Sequence, residues 1–287
     1  MVRIIAEIGS CWYDPDIDIA FKNAMNAIAT AKKCGADGVK FQLFRAKSLY
    51  SKERAPVIYK TIEQYELPID WIEKLALQAG NYGLEFGLSV FSKDLVDIAL
   101  SRYSNRYGLD FIKIASGDIT NYDLIDHICK KIENMNIELQ ISTGAATVDE
   151  IFRVLDMTVN FRTTVFHCVS AYPSSAEDMN LDAWCSYGHK EYDHLGLSDH
   201  TKNDLVAQIA VGVGYTVFEK HVNLSGDKHT PDDIVALNEK EFSTYVESIR
   251  LAEKIVGDDI KQVQESEKSE RVWARRGKDG LRPANDD

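Results

Sequence analysis

Eight short apolar or β-branched runs recur along this chain, and each is followed by a stretch with helical signals; no other feature limits the fold as much. The runs are Arg3–Gly9, Gly38–Leu43, Glu85–Val90, Phe111–Ala115, Glu138–Ser142, Thr164–Val169, Leu195–Ser198 and Thr216–Val222. Strands that alternate with helices pair in parallel, because a tight hairpin cannot join parallel neighbours. Between them, Thr147-Val148-Asp149-Glu150 and Asn238-Glu239-Lys240-Glu241 read as capping boxes. The second opens a helix with Phe242, Tyr245, Val246, Ile249 and Ile255 at helical spacing and a stop at Gly257. Gly35 and Gly83 stand where helix C-terminal caps belong. Eight such units predict an α/β fold, a closed (β/α)8 TIM barrel, as a single domain. The barrel is assigned to residues 1–260 and a short basic C-terminal tail to 261–287. At 287 residues and 45% hydrophobic content the chain is long enough for a barrel of about 250 residues. A doubly wound open sheet is the runner-up, but no Gly-rich dinucleotide loop follows the first strand.

The net charge of −12 argues against nucleic-acid or anionic-membrane partners. The chain contains no 18-residue apolar run and begins directly on a strand without a signal peptide. Its five cysteines are scattered and form no CxxC motif. Together these predict a cytoplasmic protein in a reducing compartment.

A barrel carries its chemistry at the C-terminal ends of its strands. Read in order, those ends offer Glu7, then Lys40 and Gln42, Ser89, Lys113 with Ser116-Gly117-Asp118, Ser142-Thr143-Gly144, and His167 followed by Tyr172. The last two strands offer Ser198 with His200 and Glu219 with His221. Two strand-end imidazoles can share one divalent ion, although a single histidine is more often a satisfied structural residue. Side chains alternate along a strand, so Lys40 and Gln42 share a face, as do Ser198 with His200 and Glu219 with His221. Lys220 is out of phase with them and a weaker candidate. Two inward lysines in an acidic protein predict an anion pocket for phosphate or carboxylate. Arg45 could help from its loop, though arginine there is more often a surface residue. His127, His189 and His194 read as solvated, and His167 as inward and adjacent to the metal site.

These residues lie in stretches that resemble the sialic acid synthases, the N-acetylneuraminate, legionaminate and pseudaminate synthases. The stretches are Ile4-Ile5-Ala6-Glu7-Ile8-Gly9, residues 31–42 ending in Gly38-Val39-Lys40-Phe41-Gln42, Lys113-Ile114-Ala115-Ser116-Gly117-Asp118, and Ser142-Thr143-Gly144. They continue with His167-Cys168-Val169-Ser170-Ala171-Tyr172-Pro173, Gly196-Leu197-Ser198-Asp199-His200-Thr201 and Glu219-Lys220-His221. Each is weak alone; seven in register across residues 2–240 are specific. The resemblance implies metal-dependent condensation of phosphoenolpyruvate with an open-chain N-acetylated amino sugar, giving a nine-carbon 2-keto acid and phosphate. It implies Mn²⁺ or Mg²⁺ on His200 and His221, with Lys40, Lys113, Ser116 and Ser198 holding the anionic groups. Glu7 matches the catalytic carboxylate, while Gln42, Ser89, Ser142, Tyr172 and Glu219 would surround substrate and metal. His229 matches a loop near the sugar.

Two departures fall on the sugar side. Ser10-Cys11-Trp12-Tyr13-Asp14 stands where an Asn-His-Asn-type segment is usual, and Ala171 where the neuraminate synthases have Asn. The family's small antifreeze-like domain, which lends an arginine to a partner subunit, is not expected in this chain. The tail is expected to replace that arginine with Arg275, Arg276 or Arg282, with Trp273 and Leu281 packing it on the chain's own barrel or on that of a partner in a homodimer. Two other classes remain open: a Schiff-base aldolase using Lys113 or Lys220, which needs no metal, and a catalytically silent barrel subunit.

Overall fold

The computed structural model describes residues 2–103, 108–188, 191–225 and 230–283. Its eight strands form one closed, all-parallel barrel in sequence order. They are β1 (Arg3–Gly9), β2 (Gly38–Leu43), β3 (Glu85–Val90), β4 (Phe111–Ile114), β5 (Glu138–Ser142), β6 (Thr163–His167), β7 (His194–Asp199) and β8 (Val217–His221). The predicted (β/α)8 barrel is therefore the fold, with strand ends moved by one or two residues. Helix α1 (Ile17–Lys33) follows β1; α2 (Ala46–Leu49), α3 (Pro56–Glu63) and α4 (Ile72–Asn81) follow β2. Then come α5 (Lys93–Tyr103), α6 (Tyr122–Ile132) and α7 (Val148–Thr158), one after each of β3 to β5. After β6 the described residues form only the 3₁₀ segments Glu177–Met179 and Leu181–Ser186, so that unit departs from the expected pattern. Helices α8 (Asp204–Gly212) and α9 (Glu239–Val256) complete the ring. Both predicted capping boxes form, with Glu150 bonded to the Thr147 N–H and Glu241 to the Asn238 N–H. Gly35 and Gly83 take the positive φ values expected of C-caps, 90° and 62°. Ile255, counted in the apolar stripe of α9, is exposed instead.

Two cores result from the two faces of each strand. The outward faces, with Ile4, Ala6, Ile8, Val39, Phe41, Leu88, Ile112, Leu139 and Leu197, are buried under the helices. Inside the barrel, Ile5, Phe111, Phe166 and Val217 form a separate apolar layer. Below it, Arg3 is paired with Glu138 (2.6 Å), which also accepts a bond from the Thr164 hydroxyl at 2.6 Å. The aromatic layer fits only because its neighbours lack side chains. A Cβ on Gly87 would lie 1.9 Å from the Phe111 ring, and one on Gly196 2.7 Å from Phe166.

The two compact units of the chain are residues 1–255 and 256–287. Taken by itself, the second holds a 3₁₀ turn, Glu265–Glu267, and α10 (Lys268–Ala274). It also has a turn at Gly280 (φ 78°), in which Arg276 donates to the Gly280 carbonyl at 2.7 Å.

Gly87→Ala should destabilise the protein by about 1–3 kcal/mol through overpacking of Phe111. Urea unfolding measures it, and Phe111→Leu in the same chain should recover most of the loss.

Candidate active site

Parallel register sets the site. It places Glu7 of β1 opposite both Lys40 and His221, Gln42 opposite Ser89, Ser89 opposite Lys113, and Ser198 opposite Glu219. The result is one bonded network just above the aromatic layer. Lys40 Nζ lies 2.6 Å from Glu7 Oε2 and donates to Ser89 Oγ at 2.7 Å. Gln42 donates to the other Glu7 oxygen at 2.9 Å. Glu219 accepts from Lys113 at 2.5 Å and from the Ser198 hydroxyl at 3.0 Å, and lies 3.6 Å from Lys40. The Lys113 ammonium also sits 4.3 Å from the centroid of Phe166, which ties the network to the layer beneath.

All four charged side chains are at most 4% exposed, so their charges are decided by one another. Burial opposes the positive charge of Lys40, but Glu219 and Glu7 outweigh it and hold its pKa above the ordinary lysine value. For Lys113 burial wins, with Lys40 adding to it, and the pKa is pushed down despite Glu219. Burial would raise the pKa of Glu219, yet Lys113 and Lys40 hold it well below the usual carboxylate range.

Above this floor stand His200, His221 and Tyr172. The imidazole centroids are 5.6 Å apart, and the Tyr172 ring lies 4.3 Å from His200 and 6.1 Å from His221. His200 Nδ1 faces the Val169 carbonyl at 2.9 Å, which leaves Nε2 as the lone-pair nitrogen beside Ser198 Oγ at 3.5 Å. Burial, reinforced by His221, lowers the His200 pKa to about 3. A neutral imidazole whose outer nitrogen is held by a carbonyl has the form of a metal ligand. His200 has that form, and His221 lies beside it with the ring centroids 5.6 Å apart, a separation over which one ion could be shared. Among the described residues no group of three His, Cys, Asp or Glu side chains converges to hold a metal ion, so water or substrate oxygens would have to complete its shell.

Ser116 lies on the opposite rim, its Oγ accepting the Gly144 N–H at 3.1 Å and touching Cys168 Sγ at 3.2 Å. Ser142 is buried at the end of β5. Every residue selected for the site thus lies on a strand end or in a loop directly after one.

Some of the other expectations need correction and some hold. His167 faces away from the barrel interior: its neighbour Phe166 is in the inner layer, while His167 Nε2 meets the Met179 carbonyl at 2.6 Å and its ring packs near Tyr215. Arg45 is not a free surface group; it donates to the Phe44 and Leu67 carbonyls at 3.0 and 3.2 Å. His127 is on α6 and paired with Asp97 at 3.0 Å, and His194 is the exposed first residue of β7. His189 and His229 lie outside the described residues. Lys220 is out of phase as expected, bonded to the Thr201 carbonyl and 3.2 Å from Asp199. Its place outside the mouth removes it as an aldolase nucleophile. Phe166 and Asp232 were not foreseen. Strand phase could have indicated Phe166, but no local signal marks Asp232, whose Oδ1 lies 3.8 Å from His221 Nδ1.

The NeuB family profile matches residues 27–261. The chain belongs to the NeuB family. It is 31% identical to the N,N'-diacetyllegionaminic acid synthase of Legionella pneumophila, over 95% of this chain and 78% of that protein. It is 30% identical to the pseudaminic acid synthase of Campylobacter jejuni strain 81-176, over 96% and 80%. Among solved structures, the N-acetylneuraminic acid synthetase of Leptospira borgpetersenii superposes with a TM-score of 0.81 at 24% identity, covering 94% of this NeuB chain and 90% of that one. At that identity the superposition bears on the fold alone.

Without substrate or metal, Glu219→Gln should cost about 3 kcal/mol, because it leaves a buried lysine uncompensated. Adding Lys113→Met should recover most of that in denaturant unfolding, since both charges are then gone.

Proposed function

We propose that this barrel condenses phosphoenolpyruvate with an N-acetylated amino sugar in its aldehyde form, giving a nonulosonic 2-keto acid and inorganic phosphate, with a divalent ion at His200 and His221. As a NeuB family member related to legionaminic and pseudaminic acid synthases, the chain is a sialic acid synthase-type enzyme. The observation that carries the proposal is the pair of carboxylate-neutralised lysines lying directly beneath two imidazoles at one barrel mouth.

The reaction forms a bond from C3 of phosphoenolpyruvate to the aldehyde carbon, adds water at C2 and expels phosphate as the C2–O bond breaks. Lys40 and Lys113 bind the anionic groups by exchanging their glutamate partners for substrate oxygens, with Ser116 and Ser198 supplying hydroxyls. Glu7, oriented by Gln42, takes the proton of the water that adds at C2. The chemistry supplied by a bound ion is Lewis-acid polarisation of the aldehyde oxygen. Tyr172 packs over the same space and would face the sugar. A homodimer in a reducing cytoplasm completes the proposal; the free state of all five cysteines supports the compartment.

Phosphate release should appear with phosphoenolpyruvate, Mn²⁺ and one member of a panel of N-acetylated hexosamines. It should stop in excess chelator and return with Mn²⁺; full turnover in chelator would remove the metal from the proposal. The lowered pKa of Lys113 is what a Schiff-base aldolase would need, and borohydride trapping of Lys113 with substrate would establish that class instead.

Lys40→Ala or Lys113→Ala should weaken phosphoenolpyruvate binding by on the order of 2–4 kcal/mol, since each removes a charge-assisted bond from a desolvated site. Calorimetry with unchanged affinity in both variants would favour the silent barrel.

A further inference from the structure

An imidazole that binds an ion through one nitrogen is held in plane and in tautomer by whatever its other nitrogen touches. His200 has that support in the Val169 carbonyl. Among the described residues the buried Nδ1 of His221 has no hydrogen-bond partner, with Asp232 Oδ1 at 3.8 Å. Asp232 is itself firmly held, because its Oδ2 accepts both the Ser10 N–H at 2.7 Å and the Ser10 hydroxyl at 2.6 Å. That approach requires glycine at position 9, which has φ 53°; a Cβ there would come within 2.4 Å of Asp232 Oδ2. Beside it, Cys11 Sγ meets Thr230 Oγ1 at 3.4 Å and Asp233 Oδ1 at 3.6 Å. The end of β1 and the turn Pro231–Ile234 are thereby fastened together, with Oδ1 of Asp232 the oxygen left toward His221. A movement of about 1 Å brings that oxygen to hydrogen-bond distance.

We infer that Asp232 is the positioning residue of His221, a carboxylate anchored by Ser10 that orients the imidazole and raises its basicity toward the ion. The inference rests on the metal proposed above. It also gives a purpose to Ser10, which opens the stretch that departs from the Asn-His-Asn pattern.

The test is Mn²⁺ binding to the full chain after chelation, followed by the electron paramagnetic resonance signal of free Mn²⁺. Wild type, Asp232→Ala, Asp232→Asn and Ser10→Ala are compared, with metal-free phosphoenolpyruvate affinity as the second readout. The Mn²⁺ Kd should rise about 10–100-fold in Asp232→Ala, the usual cost of losing such a support. The rise should be smaller in Asp232→Asn, which keeps an acceptor oxygen, and smallest in Ser10→Ala, which keeps the backbone bond. Phosphoenolpyruvate affinity should stay at the wild-type value in all three. Unchanged Mn²⁺ affinity in Asp232→Ala overturns the inference, as does a parallel loss of phosphoenolpyruvate affinity, the mark of a merely structural tether. A wild-type protein that binds no Mn²⁺ would defeat the metal proposal itself, whereas Mn²⁺ binding equal in wild type and Asp232→Ala defeats only this step.

Discussion

Four buried charges, Lys40, Lys113, Glu7 and Glu219, are the constraint on which the rest of the barrel depends. Taking any one of them out of water costs several kcal/mol, recovered only when its partner is in place. Those partners come from β1, β2, β4 and β8, so the network exists only if the sheet closes between its last strand and its first. A slip of one residue at any of these strands would turn a charge toward the apolar helix layer. The electrostatics of the site and the register of the sheet are therefore a single requirement.

The layers below explain why the charges remain strong. Ile5, Phe111, Phe166 and Val217 make a dry floor, and Phe111 and Phe166 fit because Gly87 and Gly196 yield space. A low-dielectric floor strengthens every interaction above it. On the proposed chemistry, substrate does not enter an empty positive hole. It replaces Glu7 and Glu219 as partner of the lysines, so net affinity is the difference between two charge-assisted sets of bonds. A ligand with two anionic groups can take the places of both carboxylates at once. With a protein charge of −12, this exchange also limits adventitious anion binding.

Most of this was legible in sequence because period-two alternation places every second residue of a strand on one face. Glu7, Lys40, Gln42, Ser89, Lys113, Ser198 and Glu219 are connected by hydrogen bonds and ion pairs in the network that this phase predicts. His167 shows the limit. Buried parallel strands are apolar on both faces, so Thr163–His167 has no polar contrast from which to read its phase. The pairing of particular glutamates with particular lysines was equally hidden, since it follows from side-chain reach inside the barrel. Asp232 was out of reach for another reason: its partner Ser10 is 222 residues away, and only the closing of the last strand on the first unites them.

The rim differs from the floor because loops, not strands, build it. Where the family's Asn-His-Asn type of segment would be polar, Trp12 is buried against Trp71 with ring centroids 5.4 Å apart, and Tyr13 stacks edge-on to Tyr65 at 4.8 Å. Such pairs add stability beyond the area they bury. The departure from the usual pattern is thus taken up by packing between the β1 end and the loop before α4, while Ser10 turns to Asp232. On the proposed reaction, the anion floor fixes phosphoenolpyruvate through strand register, and the sugar would meet the loops at Ala171, Tyr172 and the Ser10–Tyr13 turn. Discrimination between amino sugars then depends on loop packing, and the condensation chemistry on the barrel.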